Sequence, residues 1–194
     1  MKLNKLMFRE YDIRGIWNED ITEEISYYIG RAYATKLLSL KKNKMIVGYD
    51  NRLSSPIIEK NLVKGLTDGG VDVVRLGLVT TPMYYYAWDK LNIHCGIMIT
   101  ASHNPKEYNG FKMSYNGIHN CFGNEVAELY YIILNGIYSK GNGSITDANI
   151  KEDYIKMINS HINMGSNKLK VIYDCGNGTT SIVAKDIFVS NDNI

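Results

Sequence analysis

The sequence predicts an α/β fold, a mixed and largely parallel sheet with helices on both faces, followed by the start of a second α/β domain. Three observations carry this. Short apolar runs alternate with helix-spaced apolar stripes through Ile137, the pattern of an α/β layer fold. Met45–Tyr49 and Gly96–Thr100 are apolar almost throughout, as strands buried on both faces are. Lys44–Asp50 is echoed by Leu169–Asp174, each an apolar run ending in Asp before a polar loop, which suggests a second unit on the same plan.

The elements follow in order. Thr22–Leu40 reads as an amphipathic helix: Ile25, Ile29, Ala32, Tyr33, Leu37 and Leu40 recur at helical spacing, and Asp20 or Thr22 is placed to cap it. Met45–Tyr49 is a strand, stopped at Asp50 by the polar loop Asn51–Ser55. Ser55-Pro56 opens a second helix, Ser as N-cap and Pro in the first turn, ending at Gly69-Gly70. Val71–Leu76 is the next strand, and Thr80-Thr81-Pro82 starts a helix to about Leu91. Gly96–Thr100 is a strand followed by a polar loop. Gly110–Ser114 reads as a strand ended by an Asn116-Gly117 turn, which suggests one antiparallel pair. Asn124–Ile137 is an apolar-striped helix. Ser139–Ser144 breaks the composition and reads as a linker; Lys151–Ile162 is a helix beyond it. The expected division is a first domain over 1–150 and the start of a second over 151–194. One strand and one helix cannot pair their edges or cover a sheet. The chain is therefore expected to be a piece of a longer protein, or to pair with another chain.

Composition narrows the function. The 194 residues carry 22 Lys+Arg against 20 Asp+Glu, a net charge of +2, with no long basic run. Nucleic-acid binding thus has no electrostatic support. No stretch of about 18 apolar residues predicts a membrane span, and Met1–Glu10 lacks the apolar centre of a secretion signal. Cys95, Cys121 and Cys175 are odd in number and far apart, fitting neither a disulfide framework nor a zinc site; reduced thiols and a cytoplasmic location are expected. Only five basic residues are Arg (Arg9, Arg14, Arg31, Arg52 and Arg75), so a planar fork is kept for few places.

The segment richest in chemistry is Thr100-Ala101-Ser102-His103-Asn104-Pro105. It follows a buried strand, where open α/β sheets bind ligands beyond the carboxyl ends of strands. A serine there can act as a nucleophile or phosphate carrier; equally, Ser102 or Asn104 can cap a turn. Ser102 and His103 do not read as a hydrolase pair, because neighbours on an extended backbone point apart, and the glycine-flanked nucleophile elbow is missing. Gly176-Asn177-Gly178 hints at a phosphate loop, but Ser181 stands where a dinucleotide fingerprint needs its third glycine, so it reads as a strand–helix turn. The Tyr84-Tyr85-Tyr86-Trp88 cluster reads as helix packing.

Thr100–Pro105 with Tyr108-Asn109-Gly110-Phe111-Lys112 resembles the phosphoserine loop of the α-D-phosphohexomutases, the phosphoglucomutases and phosphomannomutases. Phe8–Gly15 is similar to that family's N-terminal motif, Gly48–Ser55 to its second loop, and Asp174–Gly178 to the start of its second domain. The resemblance implies an intramolecular phosphotransferase. Ser102 carries a phosphoryl group, gives it to a hexose monophosphate to form a bisphosphate, and takes back the other phosphoryl group. Glucose or mannose 1- and 6-phosphates are the implied substrates. The resemblance places Ser102, Lys112, Arg14 and His103 in catalysis, with Lys112 and Arg14 in acid–base and charge roles. It places Tyr11, Asn104 and Arg52 at the substrate, with Arg52 ranked below the others because pairing with Asp50 to hold the loop is the preferred reading of it. It implies Mg²⁺ on the Ser102 phosphate, with its other ligands in aspartates that this chain lacks. The family's sugar and second phosphate sites lie in third and fourth domains, also lacking here, so the chain alone is expected to be inactive. A non-catalytic phosphosugar-binding module and a nucleotide-binding protein using the Gly176 loop are the rival readings.

Overall fold

The computed structural model describes residues 3–162 and 170–189. Its elements are a 3₁₀ turn Lys5–Met7, β1 Ile13–Ile16, α1 Glu23–Ser39, β2 Lys44–Tyr49, α2 Ser55–Asp68, β3 Asp72–Leu78, α3 Thr81–Leu91, β4 Gly96–Ile99, β5 Tyr108–Ser114, α4 Asn124–Asn135, β6 Ile145–Asp147, α5 Lys151–His161 and α6 Ser181–Val189. The sheet order is β1-β5-β4-β2-β3-β6. β4, β2, β3 and β6 are parallel, while β5 runs antiparallel between β4 and β1.

Apolar side chains decide the layers. Ile25, Ile29, Tyr33 and Leu37 of α1, Ile58, Leu62 and Leu66 of α2, and Val126, Leu129 and Ile133 of α4 bury against Met45, Val47, Ile97, Ile99, Phe111 and Met113 of the sheet. The other face carries Ile46, Val74 and Met98 under Met83, Tyr84, Ala87 and Trp88 of α3, Tyr154 of α5 and Val183 of α6. Each fully buried side chain of this size contributes about 1.5–3 kcal/mol. The aromatic cluster of α3 packs as expected: Tyr84 and Trp88 are buried, and Tyr86 meets Tyr154 edge-on at 5.6 Å. Tyr33 is fully buried, its hydroxyl donating to the carbonyls of Gly96 and Ser114, and burial holds its phenol well above the usual range. α1 and α2 cross so closely that a Cβ on Gly65 would stand 2.1 Å from the Tyr27 carbonyl oxygen.

Several expectations need correction. Ser139–Ser144 is no free linker. Arg31 donates to Ser139 O (2.8 Å), Gly141 N–H to Asp68 O and Gly143 N–H to Thr67 O, and the segment leads straight into β6. Its glycines are there for contact, since a Cβ on Gly143 would overlap the Val71 carbonyl oxygen at 2.0 Å. The antiparallel pairing does not come from Asn116-Gly117: β5 is joined to β4 through residues 100–107, and its other partner is β1. Thr22 caps α1, accepting from Ile25 N–H, whereas Asp20 accepts from Ile16 N–H. Ser55 is the first helical residue of α2 rather than its N-cap, and its hydroxyl is spent on Asp50. In the echo segment Leu169 lies outside the described residues; residues 170–174 form no ladder, and Ile172 is 90% exposed. A strand needs a neighbour's backbone to bond, and residues 170–174 are not part of the six-stranded sheet.

Candidate active site

The sheet reverses its winding at β2, which has β3 on one side and β4 on the other. The helices that follow β2 and β3, α2 and α3, therefore lie on opposite faces and open a crevice at the strand carboxyl ends. A cleft of about 1140 Å³ lies there, lined among others by Asp50–Ser54, Thr80–Pro82, Ser102, Asn104 and Gly176–Thr180.

The loop carrying Ser102 is built from backbone. Thr100 N–H bonds to Gly110 O, Asn104 N–H to Ala101 O and Tyr108 N–H to Pro105 O, each 3.0 Å. Ser102 itself sits at φ +55°, the left-handed region that disfavours a side chain by about 1–2 kcal/mol. Its N–H donates to Thr100 Oγ1 at 3.0 Å, which holds that bend. Because Ser102 is not extended, its side chain and that of His103 do not diverge as expected; Ser102 Oγ and His103 Nδ1 stand 3.4 Å apart.

Arg52 holds the loop from outside. Its guanidinium donates to the carbonyls of Ser102 (3.0 Å), Asn104 (2.7 Å), Pro105 (2.6 Å) and Tyr108 (2.9 Å), and Nε stands 3.3 Å from Asp50 Oδ2. The planar fork suits this because it presents donors in fixed directions. Arg52 thus pairs with Asp50 and holds the loop while itself lining the cleft. Behind it, Asp50 accepts from Ser55 Oγ (2.8 Å), and the fully buried Asn109 donates to Ser54 Oγ (2.8 Å) and Ser55 Oγ (3.0 Å). This ties β5 to the start of α2. Asn109 and Thr100 carry roles that sequence reasoning missed; a lone asparagine inside an apolar strand was the available signal.

Arg14, buried in β1, donates to Asn104 Oδ1 and to Asp12, bringing it onto the Ser102 loop. Its Nε is buried without a hydrogen-bond partner among the described residues. Arg14 lies opposite Gly110, and Lys112, two residues along, shares that face of β5. Tyr11 is 69% exposed. Ser102, Asn104 and Arg52 line the cleft, Arg14 reaches it through Asn104, and Lys112, His103 and Tyr11 are outside its lining. Among the described residues no three His, Cys, Asp or Glu side chains converge, so the donor set here does not fit a divalent cation by itself. No helix of the described residues is long and apolar enough to cross a membrane.

Fold and site together define a three-layer α/β domain that presents a serine on a clamped loop at its winding reversal. The family profile described as "Phosphoglucomutase/phosphomannomutase, alpha/beta/alpha domain I" matches residues 5–136. The chain belongs to this phosphohexomutase family. It is 41% identical over 182 residues to a phosphomannomutase/phosphoglucomutase of Pseudomonas syringae pv. tomato, covering 93% of this chain and 38% of that protein. It is 38% identical over 184 residues to a phosphoglucomutase of Neisseria meningitidis serogroup B, covering 94% and 40%. A crystal structure of a phosphoglucomutase/phosphomannomutase family protein from Burkholderia thailandensis superposes with a TM-score of 0.91 at 31% identity, covering 97% of this chain and 43% of that one. The chain spans about two fifths of the length of these curated relatives.

Proposed function

We propose that Ser102 carries the phosphoryl group of a hexose phosphate mutase. The observation supporting this is the loop: Ser102 is held in a strained backbone conformation at the cleft, with Arg52 bonded to its carbonyl and to those of Asn104, Pro105 and Tyr108 after it. Phosphoryl transfer is mainly positioning and charge stabilisation, and a clamped loop supplies the first. Transfer breaks the bond between phosphorus and Ser102 Oγ as a sugar hydroxyl oxygen bonds to phosphorus. The hydroxyl gives up its proton and Ser102 Oγ gains one. Return of the other phosphoryl group reverses these changes and leaves the phosphate moved between the 1- and 6-positions. Lys112 is the proposed acid–base group, Arg14 the proposed fixed charge, and His103, Asn104 and Tyr11 contact the sugar phosphate. Arg14 Nη1 on Asn104 brings a fixed positive charge against the Ser102 loop, which supports an anion there.

The substrate class proposed is glucose or mannose 1- and 6-phosphate. Mg²⁺ on the Ser102 phosphate would take its carboxylates from outside these residues. The chain alone is proposed to perform the serine half-reaction without net turnover. Incubation with ³²P-labelled hexose 1,6-bisphosphate and peptide mapping test this. Label on Ser102, absent from Ser102→Ala, is expected; equal labelling of Ser102→Ala overturns the reading. Turnover of hexose 1-phosphate at the rate of a full-length relative overturns the claim that the chain alone is incomplete.

A further inference from the structure

The cleft has a second wall. Residues 174–180 form a tight turn ahead of α6, with Gly176 N–H on Asp174 Oδ1 and Gly178 N–H on Cys175 O, both at 2.8 Å. Asn177 sits in the left-handed region at φ +56°. Gly176–Thr180 face the same space as Ser102 and Asn104.

One side chain ties this turn to the strand end. Asn51 N–H donates to Thr179 Oγ1 at 3.1 Å, Asn51 Nδ2 donates to Asn177 O at 2.7 Å, and Thr179 Oγ1 donates to Asn51 Oδ1 at 2.9 Å. The Asn51 carboxamide offers a donor and an acceptor side by side, and the Thr179 hydroxyl accepts and donates in the same exchange. Asn51 is the neighbour of Arg52, whose guanidinium holds the Ser102 loop. Two adjacent residues after β2 thus grip the two sides of the cleft, Asn51 the 174–180 turn and Arg52 the 100–108 loop.

We propose that Asn51 and Thr179 form a positioning clasp that sets the spacing between the Ser102 loop and the 174–180 turn, and so the fit of the phosphosugar between them. This rests on the reading of Ser102 given above. Asn51 acts through the turn rather than on reacting atoms, so its loss weakens ligand fit more than the chemical step.

Thr179→Val removes the hydroxyl at constant shape; Thr179→Ser keeps it. In Thr179→Val, hydrogen exchange at the Asn51 amide is expected to rise about tenfold, the scale of one hydrogen bond. Labelling of Ser102 by hexose 1,6-bisphosphate is expected to show an apparent KM several-fold higher (~5-fold, a fraction of the same bond) with an unchanged limiting rate. Thr179→Ser restores both, and melting temperature is the folding control. Should Thr179→Val not fold, Asn51→Asp removes the donor to Asn177 O while keeping the acceptor, and the same shifts are expected. Unchanged exchange at residue 51, or faster exchange with an unchanged KM, overturns the clasp. A wild-type chain that takes no label overturns the Ser102 reading instead, and the exchange comparison then decides whether the contact holds the turn.

Discussion

Replacing Arg52 with alanine strips one guanidinium from four backbone carbonyls, at 2.6–3.0 Å, and from the Asp50 carboxylate at 3.3 Å. An intramolecular hydrogen bond nets about 0.5–1.5 kcal/mol, and bonds from a charged donor lie at or above the top of that range. The four share one side chain and do not add, and the largely buried Asp50, still held by Ser55 Oγ, loses its counter-charge. The expected loss for Arg52→Ala is therefore about 2–4 kcal/mol. Arg52→Lys is expected to lie between, because an ammonium has three donors and no fork. Urea unfolding gives the free energy by linear extrapolation. Hydrogen exchange at the Asn104 and Tyr108 amides, which close the loop's own turns, reports whether the damage is local. A stability change under about 0.5 kcal/mol, the size of an ordinary surface substitution, with unchanged exchange at both amides would show that the loop supports itself. It would return Arg52 to the role of a ligand contact alone.

Other outcomes follow from single contacts. Gly65→Ala drives a Cβ to 2.1 Å from the Tyr27 carbonyl oxygen, with backbone on both sides; a loss of about 3 kcal/mol or more is expected from overpacking, read as a fall in melting temperature. Ser102→Gly is expected to be more stable than Ser102→Ala by about 1 kcal/mol, since only glycine takes φ +55° without strain, and equal melting temperatures would argue against strain there. Glu59 is buried in α2 with an unpartnered Oε1, and burial first, with Asp147 adding, pushes its carboxyl up against the opposing pull of Arg75. A raised folded value means that its protonated form stabilises the fold, fully below the ordinary carboxyl range and progressively less as pH rises through the folded value. Glu59→Gln is thus expected to be more stable than wild type at neutral pH, with the gap closing toward pH 4.5, the ordinary value; a pH-independent gap in urea melts would contradict it.

The layers and their order could be read from apolar spacing because both sheet faces are covered: Ile25, Ile29, Tyr33 and Leu37 had no alternative to burial. The reactive loop stood out through its residue types. What escaped was short or depended on distant partners. β1 and β6 hold 4 and 3 residues and owe their ladders to β5 and β3. Ser139–Gly143 looks like a flexible tether in composition, yet its glycines let two backbones touch, which no local pattern reveals. The Ser102–His103 approach depends on one φ angle, and the Asn51–Thr179 contact spans most of the chain. Even Arg52, singled out by the scarcity of arginine, showed its acceptors only once the loop was folded around it.

The pairing of β1 with β5 has a consequence for biosynthesis. Ile13 meets Phe111, so β1 waits for a partner made about 100 residues later, which is on the order of 5–20 s at ordinary elongation rates. Until then Ile13 and Ile16 have no β5 to join, and the outer edge of β5 closes only by reaching back across that interval to β1. Slower translation would lengthen that interval, during which a nascent-chain chaperone has its longest opportunity to bind.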